Sequence, residues 1–246
     1  MTPRSLRGRR IVLTRTSDDS RPWAQALIDL GAKPLIFPCL TVVPITDDVT
    51  RRTLRTAVDD ADWLLLFSRR GVELAADLLD DTVGERLRIG VVGPSSAEAA
   101  RARFGRVTLV PAVTTAVGLA DELASIAATS SSARPLHAVL AGAASGQEEA
   151  AAVLTAAGFR VTSLPIYQTL PAPVEVPRHE FPELGRTDIL VASPSAVLGL
   201  VNRANVPASA RIITIGPTTT AAAQAAGLRV AAEAQRPGLA GLLEVL

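Results

Sequence analysis

The sequence predicts an α/β protein made of two similar parallel-sheet domains. Three observations carry this. Short runs rich in Ile, Val and Leu alternate with stretches of helical periodicity, the pattern of buried parallel strands separated by crossover helices. The chain matches itself at long range, Val12-Leu13 with Val139-Leu140 and Gly31 with Gly158. Nearly every apolar run also ends in Ser or Thr just before a helix.

In chain order, the expected strands are Arg10–Thr14, Pro34–Phe37, Trp63–Phe67, Ile89–Val92, Val107–Val110, Ala138–Ala141, Val161–Leu164, Ile189–Ala192, Ile212–Ile215 and Arg229–Ala232. Between the first two, Trp23, Leu27 and Leu30 recur at i, i+4 and i+7. This predicts a helix opening at Ser20 and stopping at Gly31. Ser95 with Glu98, and Ser145 with Glu148, have the spacing of capping boxes. Their helices stop at Gly105 and Gly158.

The internal repeat sets the organisation. Residues 12–42 match residues 139–169, with Pro38 meeting Pro165. Gly93-Pro94-Ser95-Ser96 matches Gly216-Pro217-Thr218-Thr219, and Gly118-Leu119 matches Gly238-Leu239 at the next helix start. The order is A-B-A′-B′. Two matched extended stretches, Leu40–Pro44 and Ile166–Thr169, follow the paired prolines and are expected to be a pair of connecting strands.

A chain of 246 residues holds one large α/β domain or two of about 120 residues each. With 48% hydrophobic and 20% charged residues, general disorder is excluded. The 25 basic and 24 acidic residues leave no basic excess for gripping nucleic acid. Cys39 alone cannot form an internal disulfide, and with only His137 and His179 there is no basis for a Cys-rich or multi-His metal centre. The run Ile11-Val12-Leu13 is too short for a signal peptide, and nothing approaches the ~18 apolar residues of a membrane helix. A soluble, cytoplasmic protein is expected.

In a parallel sheet the helix N-termini open at one edge, outside the carboxyl ends of the strands. Each offers free backbone N–H groups and the positive end of a helix dipole. Thr14, Thr16, Ser68, Ser95, Ser96, Thr114, Thr115, Ser145, Ser193, Ser195, Thr218 and Thr219 all fall there. Such a rim suits a ligand with many separated carboxylates or phosphates. Any single hydroxyl is more simply an N-cap. In the pairs Ser95-Ser96 and Thr218-Thr219, one hydroxyl can cap while the other faces a ligand. There is no G-x-S-x-G elbow and no Walker lysine motif. His137 reads as the structural start of a strand, His179 receives no role, and Cys39 reads as a small apolar residue.

Linked patterns resemble the uroporphyrinogen-III synthase family. They are Val12-Leu13-Thr14-Arg15, Pro165-Ile166-Tyr167-Gln168-Thr169, Ser193-Pro194-Ser195-Ala196-Val197 and Ile215-Gly216-Pro217-Thr218-Thr219, closed by Pro237-Gly238-Leu239. Their order and spacing over about residues 9–246 make the match specific. The resemblance implies two flavodoxin-like domains, joined by a two-stranded connector, with a cleft between them. One domain would be residues 1–38 with 171–246, the other 45–164, linked by 39–44 and 165–170. Pairing of the first quarter with the last comes from the resemblance; the repeat alone does not reveal it. The implied reaction is cyclisation of linear hydroxymethylbilane to uroporphyrinogen III in tetrapyrrole biosynthesis. Water is lost and the last pyrrole ring is inverted, without a metal or organic cofactor. The substrate's eight carboxylates suit a rim of helix N-termini.

An electron-rich pyrrole expels hydroxide readily once the leaving oxygen is protonated, and spontaneous closure occurs without inversion. The implied task is orientation, with one weak general acid sufficing. The family motif makes Tyr167 the candidate acid; a packed aromatic with a satisfied hydroxyl is the alternative. The candidate substrate-binding residues are Arg15, Ser68, Arg69, Ser95, Ser96, Thr115, Gly142, Ser193, Pro194, Ser195, Thr218 and Thr219. The sequence departs from the family at Phe67-Ser68, where Thr-Ser is frequent, and lacks an arginine near Gly142–Gln147. Arg69 and Arg70 either supply cationic contacts or form a solvated pair. The expected partners are the small-molecule tetrapyrrole and, transiently, the enzyme that makes hydroxymethylbilane, with neither nucleic acid nor membrane. The departures also leave room for a non-catalytic tetrapyrrole sensor on the same scaffold.

Overall fold

The computed structural model describes residues 5–129, 134–181 and 187–246. In chain order it contains β1 (Arg10–Leu13), α1 (Ser17–Asp29), β2 (Lys33–Ile36), β3 (Leu40–Pro44), α2 (Asp48–Asp59), β4 (Trp63–Leu66) and α3 (Arg69–Leu79). Then follow β5 (Arg88–Val91), α4 (Pro94–Phe104), α5 (Ala116–Ala128), β6 (His137–Ala143), α6 (Glu148–Ala156) and β7 (Arg160–Pro171). The remainder is β8 (His179–Glu180), β9 (Thr187–Val191), α7 (Pro194–Arg203), β10 (Ala204–Asn205), β11 (Arg211–Thr214), α8 (Pro217–Ala225), β12 (Val230–Glu233) and α9 (Gly238–Val245). The chain divides into two compact units, Met1–Val42 with Leu170–Leu246, and Val43–Thr169.

The first unit holds a five-stranded sheet ordered β12-β11-β9-β1-β2, parallel throughout. Numbered within the unit, this is the 2-1-3-4-5 order of doubly wound flavodoxin-like sheets. Successive residues of its strands face opposite layers, and both layers are apolar. Val12, Ile189, Val191 and Ile212 pack with residues of α7 and α8. Ile11, Leu13, Leu190 and Ile213 pack with α1 and α9. One charge interrupts this core: Asp188 on β9 is fully buried, held by Arg9 at 2.6 Å and Arg211 at 2.8 Å. A buried carboxylate is tolerable only when paired in this way.

The second unit has the order β3-β7-β6-β4-β5, and its β7-β6-β4-β5 pairings are parallel. These four strands repeat the order β2-β1-β9-β11, with β6 and β7 the repeat partners of β1 and β2. α5 and α6 cover Trp63, Leu65, Ala138 and Leu140 on one face. α3 packs instead with α2 and α4, against β4 and β6. His137 opens β6 in a structural setting. Its N–H reaches Asp62 at 2.8 Å, and its ring lies 2.9 Å from Thr162 Oγ1. Burial pushes the Asp62 carboxyl up, but the His137 N–H and the Arg134 guanidinium outweigh it and leave the group below its usual value.

Several local expectations are corrected. The run Val107–Val110 forms no strand; Leu109 makes only an isolated bridge to Gly90. Thr108 Oγ1 takes the Ile89 N–H at 3.2 Å, and Pro111 has no N–H to continue a ladder. Ile166–Thr169 is not a separate element but the later part of the twelve-residue β7. α1 opens at Ser17, capped by Thr16, which accepts the Asp19 N–H; Ser20 lies buried in the first turn. Neither capping box forms. Pro94 takes the first position of α4, which makes Gly93 its N-cap and puts Ser95 inside the helix. Gly146 turns the chain at φ 90°, so Gln147 rather than Ser145 precedes α6, and Glu148 accepts the Gly146 N–H. His179 lies in the short strand β8, its ring packed against Phe37 and Phe181.

Among the described residues, no helix is long and apolar enough to cross a membrane. Nor does any group of three or more His, Cys, Asp or Glu there have an arrangement that could hold a metal.

Candidate functional site

The second unit places three of the sequence-selected residues together. β4 and β6 are neighbours, paired as far as Leu66 with Ala141, while α3 and α6 leave them toward opposite faces. Such a junction leaves a crevice beyond the strand ends, where ligands of open α/β sheets bind. Ser68 follows β4 and caps α3, accepting the Gly71 N–H at 2.9 Å. Its Oγ lies 3.1 Å from the Tyr167 hydroxyl.

A bulge brings Tyr167 there. Gly142 pairs with Pro165 but Ala143 pairs with Tyr167, and Ala144 N–H donates to Tyr167 O at 2.8 Å. The extra residue, Ile166, changes the register so that Tyr167 pairs with Ala143, and Ile166 and Tyr167 are both buried, at 0% and 7% exposure. Two glycines keep this corner open. A Cβ at Gly71 would lie 3.2 Å from Ser68 Oγ and 4.0 Å from the Tyr167 ring. A Cβ at Gly142 would lie 3.4 Å from the Phe67 ring and 3.5 Å from Gln147 Nε2. Arg69 is exposed and forms an i,i+4 ion pair with Glu73 at 2.9 Å.

The helix starts fall into two kinds. Thr16, Ser68, Thr115 and Ser193 cap α1, α3, α5 and α7 with their own side chains, so these hydroxyls are engaged. α4 and α8 instead begin at Gly93 and Gly216, with proline next and no side-chain cap. Nothing lies within 4 Å of a Cβ built on Gly216. The N–H groups of such a first turn lack intrahelical partners and suit an anion. In each hydroxyl pair one member is exposed (Ser95, Thr218) and the other buried (Ser96, Thr219); neither caps.

In the first unit, Thr14, Arg15, Ser193 and Gly216 lie just beyond the carboxyl ends of β1, β9 and β11. Thr14 donates to Leu190 O at 2.8 Å, and the Arg15 guanidinium stacks 4.6 Å over the Trp23 ring. Pro194 and Ser195 form the first turn of α7. Sequence reasoning missed Gln147, because the Ser145–Glu148 spacing pointed to a different cap.

Fold and edges define a doubly wound α/β protein whose strand ends carry open helix termini and one serine–tyrosine pair. The family model described as uroporphyrinogen-III synthase HemD (HEM4) matches residues 21–244. The chain belongs to that family. The uroporphyrinogen-III synthase of Synechococcus elongatus is 27% identical over 268 aligned positions, covering 99% of this chain and 96% of that protein. The porphyrin biosynthesis protein HemD of Ruminiclostridium josui is 32% identical over 97 residues, which are 37% of this chain and only 19% of that longer protein. Crystal structures of the Helicobacter pylori uroporphyrinogen-III synthetase and of a mutant Thermus thermophilus uroporphyrinogen III synthase share the fold. Their TM-scores are 0.57 and 0.52, at 12% and 16% identity, each covering 96% of this chain and 97% and 96% of theirs.

Proposed function

We propose that this chain is a uroporphyrinogen-III synthase, a cyclising lyase that converts hydroxymethylbilane to uroporphyrinogen III. The family match over residues 21–244 carries the reading. In this reading Tyr167 donates a proton to the substrate's hydroxymethyl oxygen. The C–O bond breaks, water leaves, and the pyrrole nitrogen lone pair stabilises the resulting azafulvene. The substituted α-carbon of the last pyrrole attacks the azafulvene carbon to give a spiro intermediate. Its bond to the original bridging methylene then breaks, that methylene bonds to the ring's other, unsubstituted α-carbon, and the proton lost there replaces the one donated. Ser68, which accepts the Gly71 N–H, turns its own proton toward the Tyr167 oxygen and supports the negative charge that develops there as the proton leaves.

The open termini of α4 and α8 receive substrate carboxylates, aided by Ser95 and Thr218. Arg15, Arg69, Gly142, Thr115 and Ser193–Ser195 line the remaining contacts, and Ser96 and Thr219 support the first turns from below. Both units act on one substrate molecule, with residues 39–44 and 165–170 as connecting strands; the internal repeat supports this arrangement. The protein works in the cytoplasm. Because free hydroxymethylbilane closes by itself to the wrong isomer, brief contact with the enzyme that makes it favours hand-over.

Expression in a bacterium lacking its own uroporphyrinogen-III synthase tests the reading. Restored haem synthesis is expected; failure by a well-expressed, folded chain would favour a tetrapyrrole sensor.

A further inference from the structure

Gln147 precedes α6 yet makes no side-chain cap. It is 7% exposed, and its Nε2 donates to Ala143 O. That bond fixes the amide orientation, because a flipped amide would set two oxygens against each other. Oε1 is thereby held on the other side of the amide, buried and with no hydrogen-bond partner. Folded proteins keep few such acceptors, since desolvating one without a partner is costly. The position of this one is informative. Gln147 lies beyond β6 at the β4–β6 junction, its amide packed over Gly142. Ala143, which it holds, pairs with Tyr167 across the bulge.

We propose that Gln147 Oε1 accepts a pyrrole N–H of the tetrapyrrole substrate and thereby fixes the rotation of that ring beside Tyr167. The proposal rests on the synthase reading above. The substrate's carboxylates accept hydrogen bonds, and open helix termini donate them. The pyrrole N–H groups have the opposite need, which those termini cannot meet. The Ser68 hydroxyl is already engaged with the Gly71 N–H and the Tyr167 hydroxyl. Gln147 supplies the missing acceptor. Ala144, Ser145 and Gly146, which precede it, are exposed. In this proposal Ser145 and Gly146 shift to admit the ring to the amide, while Ala144 keeps its bond to Tyr167 O.

The test is Gln147→Met in the full chain, a substitution of similar length that removes the amide. The change removes the unpaired acceptor but also the Nε2 bond to Ala143 O, two opposed effects, so Tm should change little. KM for hydroxymethylbilane should rise about 10-fold, the scale of one lost hydrogen bond, with kcat within about 2-fold. The share of isomer I should increase. In wild type, independently of how the variant folds, the Gln147 side-chain amide nitrogen resonance should move downfield when uroporphyrinogen III is added. Unchanged KM and isomer ratio, a drop in Tm with KM unchanged, or an unmoved amide resonance would each overturn the proposal. A wild-type chain that forms only isomer I would overturn the synthase reading itself; loss of the Gln147 role alone leaves wild-type isomer III intact.

Discussion

Ser68 Oγ lies 3.1 Å from the Tyr167 hydroxyl while accepting the Gly71 N–H at 2.9 Å, so a helix N-terminus is linked to a phenol 99 residues away in sequence. The pair depends on two local devices, a serine cap after β4 and a bulge in β7. Either hydroxyl can donate in this contact; with Ser68 donating, the phenol proton is left for the substrate.

Tyr167→Phe should therefore lower kcat about 10- to 100-fold, the low end of general-acid effects, with little change in KM. Ser68→Ala should reduce turnover and cost about 1 kcal/mol of stability through the lost cap. In the Tyr167→Phe background its effect on turnover should shrink, because the two hydroxyls act together. Full turnover in the Phe variant would remove Tyr167 from the acid role.

Thr218→Ala and Ser95→Ala should leave stability within about 0.5 kcal/mol, since neither hydroxyl caps its helix. Gly216→Ala should be equally silent in stability: its backbone is extended and the added methyl enters open space. That methyl shields the α8 terminus, so KM should rise about 3- to 10-fold, the scale of a helix-terminus contact. Steady-state kinetics and thermal melts separate the two effects. An unchanged KM in both Thr218→Ala and Gly216→Ala would exclude α8 as a carboxylate site.

Much of the fold is legible in the sequence because it rests on periodicity. Runs such as Trp63–Phe67 and Ile189–Ala192 are buried on both faces and read directly as parallel strands. Hydrogen bonds at helix starts are less legible. Ser95–Glu98 and Ser145–Glu148 have capping-box spacing, but Pro94 and Gly146 decide the backbone, and the hydroxyls never reach their N–H groups. The candidate site is legible as a set of strand ends and a tyrosine motif, not as a constellation. Ser68 meets Tyr167 only through strand order and a one-residue bulge, neither of which leaves a mark in local sequence. Gln147 has no pattern of its own; only its burial and its unpaired oxygen single it out.

Asp188→Ala should destabilise the first unit by about 3–5 kcal/mol, because Arg9 and Arg211 would lose their shared buried partner. Urea unfolding would measure the loss. A change below about 1 kcal/mol would mean that water reaches the two guanidinium groups instead.

Cys39 should resist alkylation in the folded protein at pH 8 and react once the chain is unfolded. Burial pushes its thiol up from 9.0 to about 12, opposed by the Arg203 charge. Below about pH 9 the thiol is neutral in both the folded and the unfolded chain, and stability does not depend on its ionisation. Between about pH 9 and about 12 the unfolded thiol ionises while the folded one stays neutral, so stability should fall as pH rises. Cys39→Ala should lose that part of the decline.

The most direct measurement is the isomer composition formed from freshly made hydroxymethylbilane at neutral pH, followed over time with and without the protein. Uroporphyrinogen III should be the main product, formed faster than spontaneous closure. Isomer I alone, at the spontaneous rate, would contradict it.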